Sequence, residues 1–193
     1  VKIDPKSIGV GQYQHDVDQG MLSAGLDAVV EECVNRVGVD ANTASPALLG
    51  HVAGLGPAVA KAVVARRDRK GPFRRRADLL EVAGIGPARF TQCAGFLRIP
   101  GGDEPLDATG IHPERYELVR RMAATAGTPV AALIGDRAAV EGLRKAAWDV
   151  PGVGRETLDD LFRELATPGR DPRGEFEAVA FAEGVRTIDD LAV

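Results

Sequence analysis

Hydrophobic positions along this chain recur mostly at helical spacing. From Met21 to Val37 the apolar residues Leu22, Leu26, Val29, Val30, Cys33, Val34 and Val37 fall three or four apart and mark one face, and Gly38 supplies a stop. A second helix is expected from Pro57 until Lys70-Gly71-Pro72-Phe73 breaks it; helix restarts near Ala77-Asp78-Leu79. Phe73 is expected to staple this break onto the core. Further helices are expected behind His112-Pro113 from Glu114 to Ala126, from Gly135-Asp136 through Trp148, and from Glu156 to Leu165. Val1 to Gly20, with three glycines and Asp4-Pro5, reads as a turn-rich arm that needs a neighbour to pack on. Ile99 to Ile111, with Pro100, Gly101, Gly102 and Pro105, reads as a long connection, and Pro168 to Gly174 as a loop.

Within this pattern lies an internal repeat. Positions 49–58 and 79–88 align at an offset of thirty with seven identities: Leu49/Leu79, Val52/Val82, Ala53/Ala83, Gly54/Gly84, Gly56/Gly86, Pro57/Pro87 and Ala58/Ala88. Two copies are too few for a solenoid, so each copy is read as a short helix, a tight turn and a second helix. Glycines in Gly54-Leu55-Gly56 and Gly84-Ile85-Gly86 permit the positive φ that a reversal needs and keep a Cβ out of the way of an approaching ligand backbone. Leu55 and Ile85 are expected to point inward as anchors. Proline at the start of the second helix costs nothing, because first-turn amides lack helical partners. The amides of Gly56, Ala58 and Val59, and of Gly86, Ala88 and Arg89, are therefore expected to be free for a phosphate oxygen, aided by the helix dipole.

Composition and charge extend this picture. The 193 residues are 45% hydrophobic and only 5% aromatic, enough for a core and better suited to helices than to sheet. The net charge of −4 argues against coating nucleic acid by bulk charge, but its distribution is uneven. Between Pro57 and Arg76 stand Lys61, Arg66, Arg67, Arg69, Lys70, Arg74, Arg75 and Arg76 against Asp68 alone, a balance of +7 that leaves −11 elsewhere. This run is expected to polarise one face, with Lys61, Arg66, Arg67 and Arg69 extending a positive track beyond the first turn. The competing reading makes both hairpins structural turns and the arginines a solvated face.

Other chemistry is sparse. No apolar run approaches the roughly 20 residues of a membrane span, and no secretion signal is visible, so a cytoplasmic protein is expected. Cys33 and Cys93 are sixty apart without a zinc-ligand pattern and read as two reduced core thiols. His15, His51 and His112 are isolated, and no phosphate-binding loop, zinc-protease or serine-nucleophile motif occurs. Asp4, His15, Asp16 and Asp18 read as solvated rather than as metal ligands. No catalysis, metal or cofactor is expected. A third look-alike, Ala147-x-x-Val150-Pro151-Gly152-Val153-Gly154, is followed by Glu156, Asp159, Asp160 and Glu164 and reads as a structural turn.

The first copy fits the helix-hairpin-helix pattern, apolar-x-x-apolar-x-Gly-apolar-Gly-x-x-x-Ala, throughout with Leu49, Val52, Gly54, Leu55, Gly56 and Ala60; the second departs at Phe90. Long segments resemble the Tex family of bacterial transcription accessory proteins: Asp4 to Val17, Cys33 to Asp40, Cys93 to Gly102, His112 to Tyr116 and Pro168 to Arg173. Phe90 is acceptable in that family's second motif.

The resemblance implies part of a larger protein, with an RNase H-like domain before this stretch and an OB-fold RNA-binding domain after it. In that family much of the nucleic-acid binding is attributed to the latter. It further implies a role in transcription and similarity to eukaryotic elongation factors that accompany RNA polymerase.

The resulting expectation is an all-α chain: an N-terminal arm and connecting helix over 1–40, a tandem helix-hairpin-helix domain over 41–100, and a C-terminal helical region over 101–193 leading to a further domain. Its expected function is sequence-independent binding of the DNA or RNA phosphate backbone through Gly54, Gly56, Ala58, Lys61, Arg66, Arg67, Arg69, Gly84, Gly86, Ala88 and Arg89. RNA polymerase or associated factors are expected as protein partners. The alternative is a helical scaffold docking the transcription machinery without touching nucleic acid.

Overall fold

In the computed structural model, which describes residues 5–146, 148 and 152–169, the arm holds one helical turn, α1 (Pro5–Ile8). Asp18 then caps α2 (Gln19–Val37) by accepting the amide of Met21 at 2.7 Å. The apolar face of α2 is covered only near its end, where Val34 is buried; Gly38, at φ +82°, turns the chain away. Cys33 is therefore exposed, and the expectation of two core thiols holds for Cys93 alone.

Val39–Asp40 (β1) and Leu97–Arg98 (β2) form a two-residue parallel ladder, a small departure from pure helix, with Val39 opposite Leu97 and Asp40 opposite Arg98. Between these strands lie both copies of the repeat. The first consists of α3 (Pro46–Leu49), capped by Ser45, and α4 (Gly56–Lys70), ended by Gly71 at φ +85°. The second consists of a 3-10 helix, Arg76–Glu81, and α5 (Pro87–Cys93). Their backbone bonds repeat at the same offset of thirty. Val52 donates to Leu49 as Val82 does to Leu79, and Leu55 to Val52 as Ile85 to Val82, all at 3.0–3.1 Å.

One hydrophobic cluster runs from Val34 to Ile99 and contains Leu49, Val52, Leu55, Val63, Phe73, Leu79, Val82 and Ile85. Phe73 staples the break as expected: it is buried, and Asn42 clamps its backbone by accepting its amide at 2.7 Å and donating to its carbonyl at 3.0 Å. A second cluster runs from Leu106 to Leu165. It is built on α6 (Tyr116–Ala126), α7 (Val130–Leu133), α8 (Arg137–Arg144) and α9 (Arg155–Ala166). Helix α8 stops at Arg144, short of Trp148, whose indole N–H instead donates to the Leu143 carbonyl at 2.8 Å. The expected loop and chain end beyond Gly169 lie outside the described residues.

Arg76 ties the clusters together. It is 1% exposed, not part of an outer basic face. Its guanidinium donates to the carbonyls of Leu97 (2.8 Å), Ile111 (2.6 Å) and Thr109 and to the Tyr116 hydroxyl (2.7 Å), while its amide donates to Asp107 Oδ2 at 2.7 Å. Burial lowers its pKa from the ordinary arginine value, opposed by Tyr116 and Asp107. The connection between clusters is packed accordingly, with Leu106, Asp107 and Thr109 all buried.

Candidate nucleic-acid interface

Both turns reverse on a glycine at positive φ, Gly54 at +83° and Gly84 at +90°, with Leu55 and Ile85 buried beneath them as anchors. Each turn leans on the other copy. A Cβ at Gly54 would stand 3.0 Å from Cβ of Gln92 in α5, and one at Gly84 would stand 3.2 Å from Cγ2 of Val59 in α4. These contacts set the spacing of the turns and explain why side chains are excluded there. The outer glycines are different: nothing lies within 4 Å of a Cβ at Gly56 or Gly86, so both face open space. Gly56 has φ +67° whereas Gly86 is extended at φ −91°, ψ 177°, which makes the two reversals unequal.

Helix α4 starts at Gly56 with no side-chain cap, and Ala58 and Lys61 are exposed beside its first turn. Helix α5 likewise lacks a side-chain cap, and Ala88 is exposed. The first-turn amides of both helices thus keep free donor capacity next to open glycines.

The basic run does not form the expected continuous track. Arg66 is 7% exposed, donates to the Gly71 carbonyl at 3.0 Å and to Glu81 at 3.1 Å, and lies 4.4 Å over the Phe73 ring. Arg67 is half-buried and donates to the Ala41 carbonyl at 3.0 Å. Both follow Val59, Ala60 and Val63 at helical spacing, so the fold draws their guanidinium groups inward. Lys70 pairs with Glu81 at 3.0 Å, and Lys70 and Arg66 together hold the Glu81 carboxyl below its ordinary pKa. Arg74 and Arg75 both reach Asp103. Of the eight basic residues, Lys61 and Arg69 are exposed and have no carboxylate partner among the described residues, and Arg69 donates to the Ala65 carbonyl at 3.4 Å.

Two latches hold the turns. Arg89 is half-buried and its Nη1 donates to the Gly84 carbonyl at 2.6 Å, so this expected ligand residue braces its own turn. The first turn is braced from outside the repeat. Asn35 of α2 accepts the Ala53 amide at 3.0 Å and donates to the His51 carbonyl at 3.3 Å. Sequence reading missed Asn35, since nothing local marks a contact across eighteen residues.

Only part of the third look-alike is described: Gly152 has φ +75°, and Gly154 precedes α9. Among the described residues, no group of three or more His, Cys, Asp or Glu side chains is placed to hold a metal ion, and no helix is long and apolar enough to cross a membrane.

Two family models match the chain: a helix-hairpin-helix motif over residues 34–98 and a helix-hairpin-helix domain over 104–173. The chain is 53% identical over 193 residues to the transcriptional accessory protein Tex of Neisseria gonorrhoeae, covering 100% of this chain and 26% of that protein. It is 52% identical over 191 residues to protein YhgF of Escherichia coli, covering 99% of this chain and 25% of the relative. The human S1 RNA-binding domain-containing protein 1 is 58% identical over 250 aligned positions, spanning all of this chain and 25% of that protein. The chain thus spans about a quarter of the length of the relatives it matches. With this identity across its length, the chain is Tex-like and carries tandem helix-hairpin-helix motifs.

Proposed function

We propose that the paired hairpins bind the sugar-phosphate backbone of DNA or RNA without reading sequence, as one non-catalytic contact within a cytoplasmic transcription accessory factor. The observation that carries this reading is the uncapped first turn of α4, where Gly56 and Ala58 flank open space beside exposed Lys61. Amides at a helix start, a dipole end and an exposed ammonium suit a phosphate oxygen and are indifferent to base identity. The second turn, with Gly86 and Ala88 exposed, supplies a parallel contact. Relatives named for transcription and for RNA binding are consistent with this use.

Titration of mixed-sequence single- and double-stranded DNA and RNA over a salt series tests the proposal. Log affinity on duplex DNA is expected to fall with log salt at about −0.9 per neutralised phosphate. Absence of salt-sensitive binding to all four would leave the second reading, docking of a protein of the transcription machinery such as RNA polymerase. That reading is favoured by the exposed apolar side chains Ile8, Tyr13 and Met21 on the arm and α2.

A further inference from the structure

The thirty-residue repeat is symmetric in its backbone bonds but not in what holds its turns. Ala53 and Ala83 occupy equivalent positions, each directly before the positive-φ glycine of its reversal. The Ala53 amide is accepted by Asn35 Oδ1 at 3.0 Å, whereas among the described residues no side chain accepts from Ala83. Asn35 uses its other end too, donating from Nδ2 to the His51 carbonyl at 3.3 Å and to the Glu31 carbonyl of its own helix at 2.8 Å. A half-buried amide thus spans both polarities of the first turn and fixes it to α2.

We propose that Asn35 is the positioning residue of the first phosphate-binding turn: it does not touch nucleic acid, but sets the orientation of the Gly54-Leu55-Gly56 backbone whose amides do. The inference rests on the backbone-binding reading above. Its physical basis is the local economy of the turn. Gly54 and Gly56 both sit at positive φ, which any glycine leaves readily, and α3 in front of them is a single turn. Without a side chain accepting from Ala53, the segment between Val52 and Gly56 is held by the hydrogen bond from the Leu55 amide to the Val52 carbonyl, by burial of Leu55 and by the close approach of Gly54 to Gln92. The second turn needs no such latch, because Arg89 grips the Gly84 carbonyl from within α5.

The test compares wild type, Asn35→Ala and Asn35→Asp by amide hydrogen exchange, thermal unfolding and salt-series titration of a mixed-sequence DNA duplex. Asn35→Ala is expected to speed exchange at Ala53 while leaving Ala83 unchanged, to weaken binding roughly three- to tenfold, and to reduce the salt slope by about 0.9. Asn35→Asp keeps an acceptor for Ala53 but sets a carboxylate against the His51 and Glu31 carbonyls, so it is expected to keep Ala53 protected while losing part of the affinity. A merely structural residue would shift the melting temperature and leave the slope alone, so faster Ala53 exchange with an unchanged slope overturns the proposal. Unchanged exchange in Asn35→Ala overturns it as well. Should Asn35→Ala fail to fold, slow exchange at Ala53 in folded Asn35→Asp supports the latch, and exchange there as fast as at an unbonded amide overturns it. Wild type that binds no duplex refutes the backbone-binding reading itself, and the exchange data still report whether Asn35 holds the turn.

Discussion

The Tyr116 hydroxyl donates to Asp107 Oδ1 at 2.6 Å while accepting from Arg76 Nη1 at 2.7 Å, so one phenol joins a buried anion to a buried cation where the two hydrophobic clusters meet. Burial raises the Tyr116 pKa above its ordinary value, which keeps the proton on the phenol and the relay intact. Removing the cation strands Asp107 and several carbonyls. Arg76→Met is expected to lower stability by about 3–5 kcal/mol, read as a fall in the urea midpoint at unchanged slope.

Lys61 and Arg66 separate binding from folding. Lys61→Ala is expected to leave the melting temperature unchanged and to reduce the salt slope on duplex DNA by about 0.9, uniformly across sequences. Arg66→Ala removes a buried guanidinium with its hydrogen bonds to the Gly71 carbonyl and to exposed Glu81, and a ring contact. It is expected to cost about 2 kcal/mol of stability with the slope of the folded protein unaltered. A slope change in Arg66→Ala with wild-type stability would restore the continuous basic track.

The glycines make a similar pair. Gly86 has an ordinary φ and open space around it but caps α5, so in Gly86→Ala the lower unfolded-state entropy and the poorer cap offset each other and stability is expected to change by less than about 1 kcal/mol. Any loss of affinity in that variant therefore reports a ligand approaching the turn. Gly54→Ala meets both a positive φ and Gln92, and is expected to destabilise by about 1–3 kcal/mol in chemical denaturation.

The two cysteines differ in reach and in titration. Burial pushes the Cys93 thiol from an ordinary value of 9.0 up to about 11, so it stays protonated through the range in which thiols are usually alkylated. One equivalent of iodoacetamide, at Cys33, is expected under native conditions, and two after unfolding, by mass spectrometry. Because the folded pKa is the higher one, the stabilisation from the neutral Cys93 thiol is complete below the ordinary value and is lost as pH rises towards 11.

Much of this architecture was legible in the sequence. The offset-thirty identities located both turns, the inward anchors Leu55 and Ile85 and the starts of α4 and α5, because glycine, proline and spacing carry their geometry locally. Charge was misleading for a physical reason. A run of arginines records how many guanidinium groups there are, not where they point, and long side chains fold back onto apolar neighbours. Arg66 lies three residues beyond Val63 and seven beyond Val59, a buried-face spacing that outweighs its charge once Phe73 and Glu81 are positioned to receive it. Cys33 erred in the opposite direction: it sits on an apolar face, but the first cluster meets α2 through Val30 and Val34 and leaves Cys33 exposed. Asn35 and Arg76 act through partners 16 to 40 residues distant, beyond any local pattern.

The ladder between Val39–Asp40 and Leu97–Arg98 also has a mechanical meaning. Its strands are parallel, so the chain enters the paired hairpins and leaves them heading the same way, like a loop drawn sideways from a running thread. Tension between α2 and the second cluster would load those bonds in shear and bypass the hairpins, letting the turns keep their shape under load.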